Sequence, residues 1–195
     1  MTVNIGFFTV LETFGNLIQD NVQDIKIDRT NKRWVFPEFP EKNTNLPQVV
    51  LKLAPFNYES NSNSNIIFTE TIGEIYNEYY YRKATSQIQI YVLTEKRTSY
   101  KVTRENTEFH LYGEKLNSYL TNEIKEMIWK QHEFGILPEL FDKAEVTNIE
   151  FNYDDTKTVW GSTILCDIVF KDYFVKKYNS GELIASYSLN ETITY

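Results

Sequence analysis

Between Ser86 and Lys130 the hydrophobic period of the chain changes from that of a strand to that of a helix. Ser86 to Thr94 (SQIQIYVLT) alternates, with Ile88, Ile90 and Val92 on one face, as side chains of a strand do. Gly113 to Lys130 (GEKLNSYLTNEIKEMIWK) places Leu116, Leu120, Ile124, Met127 and Ile128 at three- and four-residue spacing, a single helical stripe. Two elements that each need to bury one face cover one another. The pair predicts an α+β fold: a mostly antiparallel sheet with this long helix and an N-terminal helix packed on one face. The remaining segments read as additions to that sheet.

The N-terminal helix rests on Phe7, Val10, Leu11, Phe14, Leu17 and Ile18, with Asn4 as N-cap and Asp20-Asn21 as its end. Ile25 and Ile27 alternate with polar residues and predict a short strand. Thr30-Asn31 is turn-like, and Trp34 to Phe36 would be the return strand of a hairpin. Glu38 to Pro47 is a Pro-punctuated loop, after which Val49, Leu51 and Leu53 form a strand. Asn57 to Asn65 (NYESNSNSN) is low in complexity and reads as a mobile loop. Ile66 to Thr71 and Ile75 to Arg82 read as two strands about a bend at Gly73.

Residues 95–110 are polar, and Lys96 to His110 hold the densest basic stretch: Lys96, Arg97, Lys101 and Arg104. As a connector these charges need only solvent; as an exposed arm they would meet an acidic partner. Gly135 and Pro138 end the long helix, and Ile136, Leu137, Leu140 and Phe141 turn under the sheet. Val146 to Tyr153 and Thr158 to Lys177 predict a final strand pair about Asp154-Asp155-Thr156. The last strand is apolar on both faces and is expected to be covered on both. After an Asn179-Ser180-Gly181 turn, the tail reads as an edge strand or as disordered. Neither a repeat nor a linker divides the chain, so residues 1–195 are expected to form one domain.

A net charge of −7 excludes binding nucleic acid through a broad basic surface. Aromatic content is 15%, which suits either a Tyr-rich sheet or a protein interface. The lone cysteine, Cys166, lies in an apolar run and reads as a buried small hydrophobe. Glu12 and the lack of a basic start make the N-terminus a poor signal peptide, and no window reaches the ~20 apolar residues of a membrane span. A cytoplasmic origin is the expectation.

No catalytic or metal-binding constellation is evident. The two histidines, His110 and His132, would have to converge with other ligands to hold a metal. H-E-x-x-H, a cysteine pair, a Gly-rich phosphate loop and G-x-S-x-G are all missing. Glu123-x-Lys125 resembles the end of a nuclease motif, but it falls on a helix where that motif needs a strand. No cofactor is expected.

The order of elements does carry a resemblance. An N-terminal helix and hairpin precede a Pro-bounded strand (Leu46-Pro47-Gln48-Val49-Val50-Leu51), an alternating strand, a polar connector, a long helix and a final strand pair meeting at Asp154-Asp155. Over residues 5–178 this resembles the tail terminator and tail-completion (neck) proteins of long-tailed bacterial and archaeal viruses. The resemblance implies a structural protein that is not an enzyme. It would form a ring, usually hexameric, capping the tail tube and meeting the head-tail connector protein. Its place would be the virion tail or neck, and the host cytoplasm during assembly. The expected partners are other copies of itself, the tube protein and the connector, with no membrane and no specific nucleic-acid sequence. Lys96, Arg97, Lys101 and Arg104 would then face a protein, and Tyr79, Tyr80, Tyr81, Tyr100 and Tyr112 are candidates for subunit contacts. The length and the extra strands at Ile66 to Arg82 leave open another neck, baseplate or sheath-associated component. A non-viral α+β binding module is the alternative from another class.

Overall fold

The computed structural model describes residues 7–26, 33–37, 46–58, 65–73, 75–104, 107–153 and 158–179. Helix α1 spans Phe7–Asn21 and buries Val10, Leu11, Phe14, Leu17 and Ile18, the stripe that its spacing predicts. Gln19 Oε1 on α1 accepts the backbone N–H groups of Trp34 (3.1 Å) and Val35 (3.3 Å), which seats strand β1 (Val35–Phe36) beside the helix. Strand β2 (Gln48–Leu53) lies parallel to β1. Strands β3 (Asn57–Tyr58) and β4 (Asn65–Ile72) both pair antiparallel with β5, a strand of 21 residues from Ile75 to Glu95.

Strands β6 (Tyr100–Arg104) and β7 (Thr107–Leu111) form a separate hairpin, and α2 follows over Gly113–Glu133. Strands β8 (Phe141–Asn152) and β9 (Val159–Asn179) complete the chain as described. The main sheet runs β1-β2-β5-β9-β8, with β3 and β4 also on β5. The result is an α+β fold with a mixed, mostly antiparallel sheet.

Alternation along β5 decides where the core lies. Ala84, Ile88, Ile90 and Val92 are fully buried, and their register partners Phe170, Cys166, Ile164 and Ser162 on β9 are 1% exposed or less. All of these but Ser162 join Val49, Leu51 and Leu53 of β2 and buried residues of both helices in a single cluster. Helix α2 starts at Gly113, whose φ of 53° is left-handed and whose Cβ, if present, would sit 3.1 Å from the Lys96 carbonyl oxygen. The helix stops at a Schellman cap. The Gly135 N–H bonds His132 O and the Ile136 N–H bonds Gln131 O, with Gly135 at φ 64°.

A polar seam crosses the contact of α2 with the sheet. Asn117, fully buried, donates to the Val92 carbonyl at 2.9 Å, and Thr121 Oγ1 lies 2.6 Å from Ser162 Oγ. Apolar contact is indifferent to small slides, so these directional bonds fix the helix in register on β5 and β9.

Several expectations change. Ile75 to Arg82 and Ser86 to Thr94 are one strand, because β9 pairs with β5 through Lys83, Ala84 and Thr85 without a break. Residues 22–26 hold no strand and β1 pairs in parallel with β2, while residues 27–32 of the expected hairpin lie outside the described residues. Asn57 and Tyr58 are strand residues against Thr85 and Ala84 rather than part of a mobile loop, and Asn65 begins β4. Residues 59–64 of that expected loop lie outside the described residues, as do Asn4, Thr30-Asn31, residues 38–45, Asp154 to Thr156 and the tail. Strand β8 starts at Phe141, earlier than Val146, since Phe141 already pairs with Phe170. The last strand is not fully covered on both faces among the described residues: Leu165, Val169, Tyr173 and Val175 are half-buried, as a row of an antiparallel sheet that meets solvent is. The polar segment after β5 carries the β6–β7 hairpin.

Candidate functional site

The β5–β9 ladder outruns the hydrophobic core. Its first nine register rows, Ile75↔Asn179 to Lys83↔Lys171, lie beyond Ala84 and Phe170, the last cluster members on those strands. Only β4, along Ile75 to Tyr81, flanks these rows among the described residues. At ~3.3 Å per residue, this three-stranded arm is about 30 Å long.

The arm is tyrosine-rich on both faces. Tyr76 stacks near Tyr178 (ring centroids 6.3 Å) and Tyr81 near Tyr173 (6.0 Å), each a direct register pair. Tyr80 continues the core row and is 8% exposed. Its hydroxyl donates to Glu78, and the Lys176 ammonium sits 4.7 Å over its ring. Burial, then the Glu78 hydrogen bond, pushes the Tyr80 hydroxyl well above the ordinary tyrosine range. Tyr79 points the other way and donates to Glu70 of β4.

A polar knot closes the core where the arm begins. Asp172 is 3% exposed, accepts a 2.9 Å hydrogen bond from the Tyr58 hydroxyl, and lies 3.9 Å from the Arg82 guanidinium. That guanidinium also stacks 4.3 Å over the Tyr58 ring. Asp142 of β8 bridges Lys83 (2.9 Å) and Lys171 (3.7 Å). These partners are far apart in sequence, and Tyr58 sits in a stretch whose composition reads as loop. Only the alternation of β5, continued backward through Arg82, hints that a buried acid would be needed opposite.

The other expected contact residues lie at the opposite end of β5. Tyr81 and Glu95 are roughly 45 Å apart along the strand at about 3.3 Å per residue. Lys96 follows Glu95, with its ammonium 5.7 Å from the Trp160 ring. Arg97 is exposed. Lys101 pairs with Glu108 at 2.5 Å across the hairpin, both more than half exposed. Arg104 ends β6 opposite Thr107. Tyr100 is less available than its sequence context suggests: it packs on the core edge and its hydroxyl donates to the Leu46 carbonyl at 3.0 Å. Tyr112, just before α2, is 56% exposed. The nine residues therefore fall into two groups, one at each end of a continuous ladder.

His110 lies on the exposed face of β7. His132 lines a shallow groove between α2 and β8 with Trp129, Glu133 and Glu145. Among the described residues no three His, Cys, Asp or Glu side chains converge as metal ligands do. Cys166 is fully buried, and burial pushes its thiol up to about 12. No described helix is long and apolar enough to cross a membrane. The chain matches no protein-family model and no curated protein.

Proposed function

We propose that this protein is a structural part of a viral tail, a terminator that forms a ring, caps the tail tube and meets the head connector. The observation that carries the proposal is the arm: nine rows of ladder past the core, faced with paired tyrosines and partly open to solvent. Tyrosine offers a rigid apolar body with a polar tip and is enriched at protein interfaces.

The arm and the β6–β7 hairpin stand at opposite ends of the ladder. A part that joins two neighbours needs two surfaces at fixed separation, and a continuous antiparallel ladder supplies the rigid spacer. In this proposal both helices cover the same face of the sheet, which the alternating burial of β5 and the shared core support. The other face is then left for neighbouring subunits. The net charge of −7 suits a wall beside a DNA path, since like charge keeps DNA from adhering. The mechanism is geometric: one face matches the last ring of tube protein, and the opposite face does not template another.

The test is light scattering and electron microscopy on the purified chain, followed by its addition to tubes growing from the tube protein of the same tail. Closed rings that stop tube growth are expected. A chain that stays monomeric at high concentration and leaves tube length unchanged overturns the proposal.

A further inference from the structure

The arm has two outer edges, and they differ in chemistry. We propose that the edge of β9, Tyr173 to Asn179, pairs with the β4 edge of a second copy of this chain over Phe68 to Ile72, the run of β4 beyond its register shift at Ile66/Phe68. The inference rests on the ring proposed above and assigns the contact that closes it.

The backbone of β9 is oriented for such pairing. The Lys171 N–H bonds Leu140 O at 2.9 Å, so it points away from β5. The N–H and C=O groups of an antiparallel strand alternate sides. Tyr173, Val175, Lys177 and Asn179 therefore turn theirs toward the outer edge. The last β8 partner is Phe141, opposite Phe170, so no described strand reaches this edge. Among the described residues this edge is unpaired, and an edge of this length templates another strand unless it is blunted. Strand β8 is blunted: it has register shifts at Phe141/Lys143 and Val146/Asn148, and Lys143 and Glu145 pair along it. The β5–β9 ladder has no shift anywhere.

Charge selects the partner. Described β9 carries Lys171, Lys176 and Lys177 past the core, and its one carboxylate there, Asp172, is already held by Tyr58 and Arg82. Strand β4 carries Glu70 and no cation. Within one copy the register row Glu70–Asn77–Lys177 is acidic at its β4 end and basic at its β9 end. Both outer strands are antiparallel to β5, so they run in the same direction. A neighbour added at β9 through its β4 keeps the direction and the faces of the sheet. That is a head-to-tail contact, which repeats until the rotation closes a ring and leaves no edge.

The test replaces Val175 by proline. Proline removes the N–H at the outer edge and leaves the β5 ladder bonds in place, as edge strands allow. Lys176→Pro is the contrast, because that N–H points at β5 and its loss destabilises the fold. Val175→Pro is expected to keep its circular dichroism while ring formation weakens at least tenfold in light scattering. Glu70→Lys alone weakens rings, and Glu70→Lys with Lys177→Glu restores them. Rings unchanged in Val175→Pro overturn this pairing and leave the terminator proposal standing, whereas a wild-type monomer overturns both. If Val175→Pro fails to fold, the charge swap decides, and losses without rescue overturn the pairing. Normal rings that no longer stop tube growth give the edge to the tube protein and also overturn it.

Discussion

The Tyr58 hydroxyl donates a 2.9 Å hydrogen bond to the Asp172 carboxylate, across 114 residues of sequence. The bond ties the two-residue strand β3 to the base of the arm, at the row where the apolar core gives way to Arg82 and Asp172. A carboxylate 3% exposed is tolerable only with such donors around it.

Tyr58→Phe removes one charge-assisted hydrogen bond and keeps the ring under Arg82. It should cost about 1–2 kcal/mol. Urea denaturation measures this as a lower midpoint at unchanged slope. An unchanged midpoint would show that Arg82 and solvent satisfy Asp172 without Tyr58.

The arm should be sensitive to alkali. Burial first, and then hydrogen bonds to carboxylates, raise the hydroxyl pKa values of Tyr58, Tyr80 and Tyr178. The folded state thus favours the protonated form. That contribution is complete below the unfolded tyrosine value of about 10 and is lost as pH rises through the higher folded values. Urea midpoints should fall above pH ~10, and Tyr80→Phe should make the fall shallower. An equal slope in the variant would remove Tyr80 as a cause.

Ile124 is fully buried on the α2 stripe. Ile124→Val should cost about 0.5–1.5 kcal/mol and leave a cooperative transition. Ile124→Asp should unfold the chain, because it strands a charge in the core. Circular dichroism distinguishes these outcomes, and a folded Ile124→Asp would contradict the placement of the stripe.

Cys166 provides a reporter of unfolding. Its burial and raised thiol pKa of about 12 leave almost no reactive thiolate in the native state. Ellman's reagent should react only with denatured protein at pH 8, and in native buffer at the rate of unfolding. Rapid native labelling would mean that the β9 core row is open.

The elements visible in sequence are those whose burial is set by a local period. Ile88, Ile90 and Val92 alternate, and Leu116, Leu120, Ile124 and Ile128 form a stripe. Water penalises their exposure wherever the chain runs, so their periodicity survives without knowledge of a partner. The α1 stripe and the Gly135 cap belong to the same class. At the interface, composition singled out Tyr79, Tyr80, Tyr81 and the basic run, but it could not place them at opposite ends of one strand.

Tertiary structure decided everything that depends on a distant partner. Lys83-Ala84-Thr85 reads as a break by propensity, yet β9 carries the strand through it by pairing Lys83 with Lys171 and Ala84 with Phe170. Tyr58 reads as loop until Asp172 arrives to receive its hydroxyl, and the parallel partner of Val35 and Phe36 on β2 has no local signal. Periodicity encodes which side of an element avoids water; a backbone or side-chain hydrogen bond also needs its partner, and the partner's position is set only when the whole chain has folded.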